Sequence, residues 1–128
     1  MIYTTYFAKL RSLPKEITPI AICAKSPPGY QGPSYRALAP HYGFYSKYKE
    51  DSDEDYFTLC YMDQILRNLS PTRVVADLYY QAGKAYFEGD IALVCYEKST
   101  DFCHRHLVAE WLRDNGFDCE EFDFTREK

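Results

Sequence analysis

One short run holds most of the reactive chemistry in this chain: Cys95-Tyr96-Glu97-Lys98-Ser99-Thr100-Asp101-Phe102-Cys103-His104-Arg105-His106. Glu97 is placed like a general acid or base, since burial raises a carboxyl pKa and a nearby guanidinium lowers it. Cys103 and Cys95 are candidate nucleophiles, because a helix N-terminus or a neighbouring cation stabilises thiolate over thiol. His104 is the candidate base or charge partner for such a thiol. Arg105 can grip a phosphate or carboxylate with two N–H groups. Each residue also has a plainer reading. Buried cysteines usually behave as small hydrophobes, and Arg105 can simply pair with Glu97 or Asp101. Cys23, Cys95, Cys103 and His104 form a soft donor set, but their spacing matches no zinc motif, so neither metal nor cofactor is expected. His41 and His106 have no partner at a telling spacing.

These residues need a scaffold, and the pattern around them supplies one. Ile91-Ala92-Leu93-Val94 is a continuous apolar run and reads as a buried strand within 90–96. Leu107, Val108, Trp111 and Leu112 mark the apolar stripe of a helix that Thr100-Asp101 would cap and Asn115-Gly116 would end. Strand, short polar loop and helix N-terminus is where open α/β sheets place ligands. The free N–H groups of such a helix start attract anions.

Further strands are expected at 1–6, at 18–24 and at 117–124, the last alternating in pattern. Phe7 to Leu13 reads as a helical turn or two before Pro14. Ser70-Pro71 opens a helix, with serine accepting from a free N–H and proline at the first helical position. Residues 56–69 have near-helical apolar spacing. The acidic run at 50–55 suits a helix start rather than a metal loop, since no glycine bends it. Residues 42–49 are aromatic and basic, and their pattern fits helix or extended chain.

Segments 26–40 and 49–55 are expected as loops and 125–128 as a polar tail. The first is rich in proline and glycine and long enough to close over a site. Strands alternating with helices imply one compact Rossmann-like α/β domain, three layers with a mostly parallel sheet flanked by helices. The carboxyl ends of its strands would gather Thr4, Thr5 and Tyr6, then Cys23 and Lys25, then Cys95 and Glu97. That makes Arg105, Lys25, Cys23, Thr4, Thr5 and Tyr6 the candidate ligand-binding residues. Glu97, Cys103, His104 and Cys95 are the candidate catalytic ones.

Length and composition bound the rest. The chain has 128 residues, enough for one domain, and 46% of them are hydrophobic, enough for a core. A net charge of −4 argues against binding nucleic acid by charge alone. Five cysteines without a C-x-x-C pair, and no apolar segment of membrane length, fit reduced thiols in a cytoplasm with no membrane anchor. The 13 tyrosines suit a core, a pocket lining or a contact surface.

Cys95-x-Glu97 followed by Cys103-His104-Arg105, after an apolar strand, resembles the signature of the family catalogued as domain of unknown function 488. Ile2-Tyr3-Thr4-Thr5-Tyr6-Phe7, Ile22-Cys23-Ala24-Lys25 and His106-Leu107-Val108-Ala109 running into Trp111-Leu112 are similar to one small-protein branch of it. Thr5 and Ala24 depart from that branch, where serine and glycine are expected. The resemblance implies a compact Rossmann-like domain of bacteria, archaea or their phages and a shared site at Cys95, Glu97, Cys103, His104 and Arg105. It implies no reaction.

Two functions follow as expectations. One is an enzyme acting on a nucleotide-like or phosphorylated molecule, with a small anionic ligand at the strand-to-helix junction. The alternative is a non-catalytic protein-interaction factor of phage or mobile-element origin, with a protein partner. The oligomeric state is not legible.

Overall fold

The computed structural model describes residues 1–122. Its four strands are β1 (Ile2–Tyr6), β2 (Ile17–Ala21), β3 (Asp90–Cys95) and β4 (Cys119–Glu121), in the order β2-β3-β1-β4. Every pairing is parallel. Four α-helices accompany them: α1 (Tyr42–Asp51), α2 (Glu54–Gln64), α3 (Pro71–Gln81) and α4 (His104–Asp114). β3 lies inside the sheet, which is why its residues form an unbroken apolar run instead of alternating.

The strand order sets the layers. From β1 to β2 the chain steps two places in one direction across the sheet, whereas β2 to β3 and β3 to β4 step the other way. Right-handed crossovers then put the β1–β2 connection on one face and all four α-helices on the other. Packing agrees. Ile2, Ile20, Ile91, Leu93 and Cys95 share a core with buried residues of all four α-helices. The opposite face holds a small cluster of Ile17, Ala92 and Phe122, with Tyr3 and Leu13 against it. The result is a compact three-layer α/β domain with unequal layers, the thin one formed around the 3-10 helix Phe7–Ser12.

β2 is an edge strand. Its Ile22 end donates inward to the Val94 carbonyl, while Ala21 N–H donates outward to the Pro33 carbonyl, 3.0 Å. By that alternation Pro19, which has no N–H, occupies the outward register. Segment 26–40 is pinned as well as long. Ala21 bridges to Ser34, and the Tyr30 hydroxyl donates to the Pro33 carbonyl at 2.7 Å.

Several expectations need correction. The helix after β3 begins at His104, with Cys103 as its cap position, and not at Thr100-Asp101. A turn closed by Asp101 N–H to the Lys98 carbonyl occupies those residues, and side chains described below hold it there. Residues 42–51 are helical. The acidic run is therefore no loop: it spans the end of α1 and the start of α2. Asp53 caps α2 by accepting from Tyr56 N–H. α2 stops at Gln64, and a separate 3-10 turn follows at Leu66–Asn68. The last strand is limited to Cys119–Glu121; residues 123 and 124 of the expected strand, and the 125–128 tail, fall outside the described residues.

Candidate active site

Arg105 organises the junction from inside. It is 0% exposed. Its Nε and Nη2 donate to the two carboxylate oxygens of Glu121, at 3.1 and 2.8 Å, a bidentate pair. Its Nη1 donates to the Glu97 carbonyl at 2.6 Å. Glu121 also accepts from the hydroxyls of Thr4 and Ser99, at 2.6 and 2.7 Å. The guanidinium and these hydroxyls hold the Glu121 carboxyl below its usual range against the opposing effect of burial. Arg105 thus ties β1, β4 and the 97–99 loop together. Thr4 belongs to the same network. Thr5 is fully buried, and its hydroxyl has no partner. Tyr6 lies under the guanidinium, 5.6 Å from ring centre to Cζ. None of these four lines the cavity described next.

That cavity has a volume of roughly 430 Å³ and lies beyond the carboxyl ends of β2 and β3. Cys23, Ala24 and Lys25 line it from the β2 side, and Cys95, Tyr96 and Glu97 from the β3 side. His104 from α4 and Pro40, Tyr42 and Tyr45 around the start of α1 complete it. Most of the lining is apolar and aromatic, with few polar groups, the usual make-up of a small-molecule site. Of the expected residues, the fold brings together Cys23, Lys25, Cys95, Glu97 and His104. Cys103 stands just behind Cys95.

Three groups pack tightly at the back of the cavity. Ligand atoms of Cys95, Cys103 and His104 all lie within 4.8 Å of one another. The His104 ring is anchored by Nε2 against the Ile22 carbonyl at 2.8 Å. Its Nδ1 lies 4.0 Å from the Cys103 sulfur. The Cys95 sulfur is 3.8 Å from Nδ1 and 3.4 Å from Nε2. A sulfur nearly equidistant from both nitrogens sits beside the ring and on neither lone-pair axis, so one ion cannot bond Cys95 and His104 as they stand. The three residues supply soft donors, but the arrangement is not a preformed metal site.

The two sulfurs are electrostatically unlike. Burial pushes the Cys95 thiol far up. A hydrogen bond from Cys95, followed by the proximity of His104 and Arg105, pulls Cys103 well down. The two thiols of this coupled pair are driven in opposite directions, Cys95 up and Cys103 down. Glu97 feels both effects. Burial first, then the Cys103 charge, raise its carboxyl to about 7. A half-buried acid at the wall of a cavity is thereby poised to exchange a proton near neutrality.

Sequence reasoning did not identify Glu121, Pro40, Tyr42 or Tyr45 as parts of this region. Glu121 was detectable in principle, since a parallel register sets Thr4 beside it. The two tyrosines arrive through α1, whose conformation the sequence left open.

β1 and β3 are neighbours whose onward connections leave in opposite directions, a topological switch point, and the cavity opens beside it, beyond β3 and β2. A parallel sheet with a chemically dense crevice outside that edge defines a Rossmann-like α/β domain. Within that class, the chain belongs to the domain of unknown function 488 family. The model of the "Active DUF488-N3 subclade" matches residues 2–116. No curated protein and no solved structure matches the chain. No helix among the described residues is long and apolar enough to cross a membrane.

Proposed function

We propose that the protein is an enzyme acting on a nucleotide-like or otherwise phosphorylated small molecule held in the Cys23–Glu97 cavity. The observation that carries this reading is Glu97, a carboxyl near pH 7 on the wall of an aromatic-lined cavity. Tyr42, Tyr45 and Tyr96 offer faces for stacking on a base. Lys25, the cation among the lining residues, is exposed and suited to a phosphate. Glu97 would give a proton to a leaving group or take one from a water. Hydrolysis or transfer at a nucleoside glycosidic bond fits that role. Arg105 serves indirectly, by fixing the Glu97 backbone. The description of the matching subclade as active favours an enzymatic reading over a purely structural one.

The test is a panel of nucleosides and nucleoside monophosphates, with binding followed by ligand-observed NMR and turnover by chromatography. Glu97→Gln should keep binding and lose turnover by roughly 100-fold or more. Lys25→Ala should weaken monophosphates and spare nucleosides. If no member binds, or Glu97→Gln turns over like the wild type, the reading fails.

A second reading, a protein-interaction factor, is favoured by one feature away from the cavity. Leu59 is 67% exposed and stands with Met62 beside Trp111 on the outer side of α2 and α4. Mutating Leu59 and Met62 to serine would abolish capture of a partner under that reading and leave small-molecule binding unchanged.

A further inference from the structure

The cavity chemistry above uses Glu97 and the tyrosines. It leaves two buried sulfurs without a role. Their atoms lie within 4.8 Å, and all five cysteines in the chain are free. One of the two, Cys95, lines a cavity that small solutes can enter, whereas Cys60 and Cys119 do not line it. Cys103 sits at the cap position of α4, directly behind Cys95, and its sulfur makes no cap hydrogen bond to the first-turn amides.

We infer that Cys95 and Cys103 form a redox-active dithiol, a modification site at the back of the cavity that hydrogen peroxide converts to an intramolecular disulfide. The lowered thiol of Cys103 supports its role as the first to react. Its sulfur attacks one peroxide oxygen: an S–O bond forms, the O–O bond breaks, and the departing hydroxide takes a proton to leave as water. Cys95 then attacks the Cys103 sulfur. The S–S bond forms, the S–O bond breaks, and the second hydroxide leaves as water with the Cys95 proton. Two sulfurs together lose two electrons, and one peroxide becomes two waters. His104 holds its ring against Ile22 throughout and keeps the space beside Cys95 filled.

Cys23 is the competing partner. It lies at the cavity wall, where its thiol donates to the Lys25 carbonyl at 3.4 Å. That hydrogen bond turns its sulfur toward the β2 loop, which favours Cys95 as the resolving thiol.

The reduced protein is treated with hydrogen peroxide, free thiols are capped with N-ethylmaleimide, and the peptides are mapped without reduction. Wild type should lose the mass of two hydrogens and yield one linked peptide pair joining Cys95 to Cys103. Cys60→Ser should behave identically. Cys95→Ser should stop at a Cys103 sulfenic acid that dimedone traps. Cys103→Ser should oxidise at least roughly tenfold more slowly. A disulfide through Cys23, a disulfide between chains, or five cappable thiols after treatment would each overturn the inference. Wild-type mapping decides the matter even if a serine variant fails to fold. None of these readouts depends on the substrate reading.

Discussion

Arg105 and Glu121 show how residue chemistry was half legible. A guanidinium beside two thiols and an acid was visible in sequence, but its partner lay 16 residues away on a strand of only three residues. Burial decides such cases, and burial is a property of the fold. Because the pair is enclosed, removing one partner strands the other. Arg105→Met or Glu121→Gln should each cost about 3–5 kcal/mol in urea unfolding. The two acids also give opposite pH signatures. Glu97 holds its proton longer in the fold than in the unfolded chain, so the stability it contributes should fall as pH rises from 4.5 to about 7. Glu97→Gln should flatten that slope in a series of denaturation curves. Glu121 titrates below its ordinary 4.5, so its contribution is complete above that value and fades as the solution is acidified through the lowered one.

At the scale of elements, local signals with a mechanism transferred well. Ser70-Pro71 opens α3 with the serine oxygen accepting from Arg73 N–H at 3.3 Å. Ser70→Ala should lower stability by about 1 kcal/mol. Gly116 follows α4 at φ +90°, and a methyl group added there would meet nothing within 4 Å. Gly116→Ala should therefore cost about 1 kcal/mol through backbone strain alone, measurable as a drop in Tm. The start of α4 was less legible. Thr100 and Asp101 have good capping side chains, yet the Arg105 bond to the Glu97 carbonyl and the Ser99 bond to Glu121 hold that stretch as a turn. Tertiary contacts overrode propensity there. α1 was ambiguous because its aromatic residues suit either conformation, and packing of Phe44 against Phe57 and Tyr61 settles it.

For the whole molecule, alternating strands and helices were enough to set the class and the parallel sheet. The distribution of helices was not, because the faces depend on strand order, which no local pattern encodes. The order β2-β3-β1-β4 makes β3 and β1 the interior pair, linked by five residue pairs in register. Hydrogen exchange should find their amides the slowest in the chain and those of the three-residue β4 among the first to open. The outer border of β2 carries a different message. Proline at its outward register and a loop strapped to its end leave no row of backbone donors for a visiting chain to match. On that flank the sheet cannot be extended by a neighbour. Stacking into fibrils by edge-to-edge growth is blocked there by a single ring and one strap of main chain.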